Sequence, residues 1–510
     1  MKKGSILFFT LCTVMSACGG PASEQEMETE PVIEVISPSL TIPPSADQPS
    51  TEEPDPTPIA ISTPSPAPVQ TLLEGIGMET PGPWLMFYTN EGFWLISKEG
   101  AIVRLMQIST KYYLERWEVA PHGGLVAMIQ GDGSEKYLEV ISIQEYEHPL
   151  ILNLVDYEGE GLNFASERDG EDFKVDRYFA VGQPSWSSDG SKFAFVSSHL
   201  GPSPDVYIYD VLSREVTRLT DGPNHSVYLH WSPDDQYIFH ARVEKMWMDY
   251  SGSGYSGWTF YAAKADNSGV TTVFRSEIDQ GNEYSIGWFS DHEVLMESSY
   301  WYCGKFDFRM VNINQGERFS IWSNQYNQSA FNPVGKVALI WVSPEAVYIE
   351  ECGTVGESGL FLVSIPDGHR EKVTDFEDKY LISSIEWNEE AAKFVIDLRT
   401  LWAIVDIKGE VEYLEEEPIF STVGNRIALL GYKGESLKVM DQEGNTIEVS
   451  TGKKILSPIW SPDGSRLFFF EESETKNYEL YMVQAPDYER VLIIEDLNEE
   501  LIGVPKWVLP

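Results

Sequence analysis

Basic residues are scarce in this chain. Among 510 residues, 36 Lys and Arg face 80 Asp and Glu, giving a net charge of 36 − 80 = −44. No basic stripe rises above that background, which excludes a groove for nucleic-acid phosphates. Anionic headgroups would repel the body of the protein, so the acid excess serves solubility first. Cysteine is nearly absent, with four residues and no Cys-x-x-Cys or Cys/His cluster. The eight histidines are scattered, and His225, His230 and His240 fit neither His-Glu-x-x-His nor zinc spacing. Gly254-Tyr255-Ser256-Gly257 and Gly356-Glu357-Ser358-Gly359 both miss the last position of a nucleophile elbow. Asp441-Gln442-Glu443-Gly444-Asn445 lacks the closing Glu of a calcium loop and reads as a turn. No amphipathic helical run of useful length occurs. The sequence therefore offers no catalytic residue, metal site or cofactor site.

What is present begins with an export signal over residues 1–17. Lys2 and Lys3 precede a short apolar run, Ile6 to Val14, too short to span a bilayer. It ends in Met15-Ser16-Ala17-Cys18, which resembles a bacterial lipobox with Met15 where Leu is usual. The resemblance implies cleavage before Cys18 and its lipidation, and hence a location on the extracytoplasmic side of a bacterial membrane. An ordinary signal followed by an incidental Cys is the competing reading. Residues 18–80 hold twelve prolines between Pro21 and Pro68, with Ser, Thr and Glu between them. That composition cannot bury enough apolar surface to fold, and it predicts an extended linker. The membrane is then reached through the lipid only.

From residue 81 onward the chain repeats itself. Pro458-Ile459-Trp460-Ser461-Pro462-Asp463-Gly464 is matched by Pro184-Ser185-Trp186-Ser187-Ser188-Asp189-Gly190 and by Leu229-His230-Trp231-Ser232-Pro233-Asp234-Asp235. Each copy is a strand ending in Trp, a tight turn in which Pro, Asp and Gly have their usual places, and a second apolar strand. Aromatic and β-branched third and fourth strands follow, as in Val206-Tyr207-Ile208-Tyr209 and Val216-Thr217-Arg218-Leu219. Four antiparallel strands per unit, repeated, predict an all-β chain with the blades of a single β-propeller, eight or nine in number. Trp84–Thr89 opens a first unit lacking its own inner strand, and Val504-Pro505-Lys506-Trp507-Val508 is an orphan inner strand. Pairing the two closes the ring and removes its open edges.

These copies resemble the TolB-type, WD-like propeller repeats across about residues 81–510. Weaker copies such as Ala120-Pro121-His122-Gly123 and Phe331-Asn332-Pro333-Val334-Gly335 keep part of the pattern. Similar propellers are mostly binding scaffolds, and some gate prolyl- and dipeptidyl-peptidase-like hydrolases. The Ser-x-Asp-x-Gly box of sialidase-like propellers does not fit, because Asp189-Gly190 and Asp463-Gly464 are adjacent.

Strand order puts the tight turns on one face of the ring. The long insertions fall on the other: Asp156–Val181, Val243–Gly257, Tyr300–Lys305 and Pro344–Ser358. Functional groups concentrate on such loops. Trp247, Tyr250, Tyr255, Trp258, Tyr300, Trp301 and Tyr302 are the candidate binding residues there, as rigid amphipathic contacts. Packing over the channel mouth is the competing reading. Cys303 and Cys352 fall on neighbouring insertions, which predicts a disulfide in an oxidising compartment, with two buried thiols as the alternative. The expected function is a monomeric, non-catalytic scaffold binding a protein, peptide or glycan. The alternative is a propeller hydrolase or lyase whose site on the long-loop face carries no recognised motif.

Overall fold

Short alternating apolar stretches, cut by turn residues every few positions, leave the backbone little choice but antiparallel strands. The computed structural model describes residues 72–73, 82–89, 92–107, 112–143, 147–157, 165–168, 171–172, 181–249, 252–276, 282–300, 304–323, 326–343, 357–374, 382–423, 426–497 and 505–510. Among them are nine four-stranded antiparallel blades of a β-propeller, and the one helical piece is a single turn at Tyr432–Gly434. The inner strands of blades 2 to 9 are Tyr113–Val119, Gly182–Trp186, His225–Trp231, Asn282–Ser290, Gln328–Asn332, Ser384–Asn388, Glu417–Phe420 and Ile455–Trp460. Blade 1 takes its inner strand, Lys506–Val508, from the end of the chain. That strand pairs antiparallel with Trp84–Thr89, Leu85 lying opposite Trp507. Leu72–Leu73 adds a fifth, outermost strand to the same blade.

The second strand of each blade shows why blades stack. In Lys192–Ser197, Phe193 and Phe195 pack with blade 2 residues such as Ala127, Ile129 and Leu138. The alternate residues Ala194 and Val196 pack with blade 4 residues Ile238 and Ala263. Both faces of the strand are therefore buried, and a one-residue slip would exchange its two neighbours. The same logic closes the ring, because Phe87 of blade 1 meets Phe470 of blade 9 with centroids 5.0 Å apart.

The repeated Trp is a clasp between blades. Its indole Nε1 donates to a backbone carbonyl of the preceding inner strand: Trp231 to Ser185 at 3.0 Å, Trp460 to Ile419 at 3.0 Å and Trp507 to Trp460 at 2.7 Å. The turn after it is locked by its own side chains. Ser461 Oγ donates to Asp463 at 2.7 Å and accepts from Arg466 N at 3.0 Å. Gly464 sits at φ +65°, and a Cβ there would lie 2.4 Å from Val423 O, so only glycine fits. In the third copy Asp235 replaces that glycine at φ 55°. Its carboxylate compensates by reaching the previous blade, accepting from Ser188 N at 2.8 Å and Ser188 Oγ at 2.7 Å. Removing one clasp by Trp460→Phe should cost about 1 kcal/mol, the net value of one such bond. Urea denaturation of the variant beside the wild type measures it.

Two of the insertions are not plain loops. The stretch after blade 2 contributes Ala165–Arg168 and Glu171–Asp172, and the insertion within blade 4 contributes Lys245–Asp249 and Gly252–Ser256. Together they form a separate four-stranded sheet, in which Ala165–Arg168 runs parallel to Lys245–Asp249.

Candidate functional site

Blades 5, 6 and 7 enclose a cavity of about 490 Å³ along their inner strands, lined by Tyr284, Glu297, Lys305, Ser329, Phe331, Glu386 and Trp387 together with Ile286, Ala330 and Ile385. Tyr284 lies opposite Glu297 across the first pair of strands of blade 5, and Lys305 opens the third. Ser329 and Phe331 come from the inner strand of blade 6, and Glu386 and Trp387 from that of blade 7.

Glu297 is the centre of the arrangement and is 1% exposed. Its carboxylate accepts from Tyr326 Oη at 3.0 Å and from Ser329 Oγ, and it pairs with Lys305 Nζ at 2.9 Å. Burial, followed by the adjacent Glu297 charge, pushes both Tyr284 and Tyr326 above their ordinary value. Both phenols therefore stay protonated and remain donors. Three groups, Tyr326, Ser329 and Lys305, converge on the Glu297 carboxylate and fix its place in the cavity wall. Lys305 Nζ is 3.4 Å from Ser329 Oγ but is engaged by the same carboxylate. The cluster orients a cavity wall; it is not arranged as a nucleophile beside a free base.

Toward blade 8 the charge is less balanced. Burial, then the charges of Asp397 and Glu386, raise the Glu417 carboxyl above its ordinary value. Elsewhere buried carboxylates have cationic partners: Asp205 with Arg218 at 2.6 Å, Glu471 with Lys453 at 2.9 Å and Arg490 at 2.8 Å, and Glu283 with Arg309.

The aromatic residues expected on the long-loop face divide. Trp258 is a correction: it is 0% exposed, stacks on Phe260 and lies beneath Tyr228, so it belongs to the core between blades 4 and 5. Tyr255 is half-buried against Trp258 and His225. Trp247 and Tyr300 lie on described strands, Lys245–Asp249 and Glu293–Tyr300. Tyr250, Trp301, Tyr302, Cys303, Cys352 and Cys18 lie outside the described residues, and so does the whole of the export signal. Sequence reasoning missed Glu297, Lys305, Ser329 and Glu386. Glu297 follows the apolar run Val294-Leu295-Met296 of a second strand, but Asp397 follows Phe394-Val395-Ile396 in the same way, so the sequence did not single it out.

Among the described residues, no group of three or more His, Cys, Asp or Glu is arranged to hold a metal ion, and no helix is long and apolar enough to cross a membrane. No protein-family model matches the sequence, and no curated protein matches it. Solved structures do match in fold. A eukaryotic initiation factor superposes with a TM-score of 0.53 at 13% identity, covering 84% of this chain and 98% of that one. The propeller domain of the Trilobed protease from Pyrococcus furiosus gives 0.39 at 13% identity, covering 77% and 98%. Dipeptidyl peptidase 4 from Porphyromonas gingivalis gives 0.43 at 11% identity, covering 81% and 60%. What the chain shares with the initiation factor is the fold, and its nine blades are those of a β-propeller.

Proposed function

We propose that this protein is a lipid-anchored, extracytoplasmic β-propeller that binds a segment of a protein, peptide or glycan in the cavity of blades 5 to 7. The observation that carries the reading is the cavity wall around Glu297, whose place is fixed by Tyr326, Ser329 and Lys305. Preorganised polar groups beside aromatic surface bind without an ordering cost. The rings of Tyr284, Phe331 and Trp387 supply that surface. Cys18 serves as the anchor in this proposal. A Cys303–Cys352 bridge is part of the same proposal. Leu72–Leu73 belongs to blade 1, and the Pro-rich residues before it would let the propeller reach away from its membrane.

A photoreactive amino acid in place of Phe331 should trap the ligand in native membranes. The same probe at Leu212, which is 94% exposed on a turn of blade 3, should not. Equal trapping from both positions would refute the cavity as the seat.

A further inference from the structure

We infer that the cavity takes an extended peptide segment, and that Trp387 Nε1 donates a hydrogen bond to one of its main-chain carbonyls. This rests on the binding reading above and names its ligand class.

The indole clasps do not run all the way round the ring. From blade 8 through blades 9 and 1 to blade 4, every junction of inner strands is tied. Trp460 reaches Ile419 O, Trp507 reaches Trp460 O, Trp186 reaches Glu118 O at 3.5 Å and Trp231 reaches Ser185 O. Between blades 1 and 2, Lys506 Nζ takes the part of the indole and donates to Trp117 O at 3.1 Å. From blade 4 to blade 8 the indole clasp is missing at each junction. Phe331 and Phe420 stand in the Trp position of blades 6 and 8 and have no N–H to give. In blade 5 the Nε1 of Trp288 is buried without a partner. Trp387 of blade 7 also has no hydrogen-bond partner among the described residues, but its Nε1 is not sealed in the same way, and the residue lines the cavity. Blades 6 and 7 are joined instead at the start of their inner strands, where Gln328 Nε2 donates to Ser383 O at 3.3 Å.

The cavity thus lies in the unclasped part of the ring, and the clasp names what fits there. An indole N–H is a donor only, and a half-buried one needs an acceptor. In Trp231, Trp460 and Trp507 that acceptor is a main-chain carbonyl of an extended strand, 2.7–3.0 Å away. In blade 6 the corresponding residue is Ala330, one before Phe331 as Ser185 is one before Trp186. Ala330 lines the cavity beside Trp387 and is not bonded to it. A peptide entering the cavity offers the same kind of carbonyl. Glu386, exposed and lining the same cavity, has no hydrogen-bond or ion-pair partner among the described residues and accepts where Trp387 donates. A donor and an acceptor on successive residues suit the C=O and N–H of a passing main chain. Tyr284 and Phe331 present rings to a side chain of the segment. A sugar hydroxyl is a weaker acceptor than an amide carbonyl, which makes the peptide the better partner for this N–H.

The test uses the whole exported protein. Random hexapeptides blocked at both ends are selected against it, beside a set of neutral cello- and chito-oligosaccharides, and the best binder of each kind is titrated by calorimetry. A peptide binder is expected. W387F removes the N–H and keeps a ring, and Phe already stands in this position in blades 6 and 8. It should bind the peptide about fivefold less tightly, the worth of one net hydrogen bond. W460F removes the same group from a closed clasp and should bind as the wild type does. Replacing each peptide amide in turn by an ester weakens one carbonyl acceptor at a time. At one position the ester should weaken binding to the wild type several-fold and cause no further loss in W387F. Equal ester losses in both proteins at every position would overturn the inference. A peptide bound equally by W387F and the wild type but lost in Y284A/F331A would overturn it while upholding the cavity as a binding site. An oligosaccharide selected where no peptide is, and lost in Y284A/F331A, would do the same. A best binder that Y284A/F331A and W387F hold as the wild type does, or the absence of any binder, would overturn the cavity itself.

Discussion

Deleting residues 505–510 should leave a protein that is largely unfolded or aggregated at 37 °C. The segment carries the inner strand of blade 1, so its loss exposes the edge of Trp84–Thr89 and leaves a gap beside the inner strand of blade 9. Val508 is 0% exposed and packs with Trp84, Met86 and Met128, and burying such a side chain is worth about 1.5–3 kcal/mol. Trp507 loses its bond to Trp460 O and its edge contact with Phe468 at 5.6 Å. Lys506 Nζ, 3.1 Å from Trp117 O and 4.8 Å from the Trp117 ring centre, no longer ties blade 1 to blade 2. Gly124 N loses its acceptor, Leu509 O, at 2.8 Å. The sum is on the order of 5 kcal/mol or more, comparable to the whole stability of many domains. Val508→Asp should reproduce much of the loss by placing one charge in the same core. Circular dichroism melts of the truncation and the point variant check this, and an unchanged midpoint in both would mean that the ring does not depend on this strand.

Lowering the pH from 8 to 5 should destabilise the protein, with about 4 kcal/mol of the loss coming through His199 and His240, two of the three histidines that burial holds below their ordinary value. His240 is fully buried with its ring stacked on Tyr261, and burial, then the Arg242 charge, hold it at about 3 instead of 6.5. His199 lies against Tyr207, and burial, then Arg218, hold it at about 4. Both folded values lie below the unfolded one, so the unfolded chain takes up protons first as the pH falls. The stability contributed by each neutral ring is complete above about pH 6.5 and is lost progressively below it, down to pH 4 for His199 and pH 3 for His240. At pH 5 the deficit is about 1.5 pH units per group, or about 2 kcal/mol each. Partial neutralisation of the acidic surface works in the opposite direction by easing self-repulsion. The variant H199F/H240F isolates the contribution of His199 and His240, because its stability should fall about 4 kcal/mol less than that of the wild type between the two pH values. Parallel urea titrations of both proteins at pH 8 and pH 5 provide the comparison, and identical pH responses would rule the two rings out.

The repeated hairpin made the fold legible because its chemistry is local. Trp, Ser, Asp and Gly are a few residues apart, and each bond they make within the turn depends on that spacing. The closing strand was legible for a related reason, since an unpaired strand at each end of the repeats has one partner available. The extra sheet was not legible. Ala165–Arg168 has no apolar alternation, and it is a strand because Lys245–Asp249, far along the chain, runs beside it. Trp258 was read as a surface residue from the Gly and Ser residues before it. It stands, however, just ahead of the third strand of blade 4, Thr259–Lys264, whose side chains face the interblade core. The cavity was hidden because its residues come from several strands of three blades.

The fifth strand of blade 1 determines where mechanical load enters the protein. Leu72 and Leu73 are hydrogen-bonded to the outer strand of that blade opposite Gln107 and Met106, a contact two residues long among the described residues. A pull on the chain upstream of Leu72 meets this short contact before it reaches any core strand. Once it peels away, the force passes to Trp84–Thr89, which is held on both sides by Gly92–Ser97 and Lys506–Val508. The outer pair therefore acts as a sacrificial link whose rupture leaves every blade with its four strands.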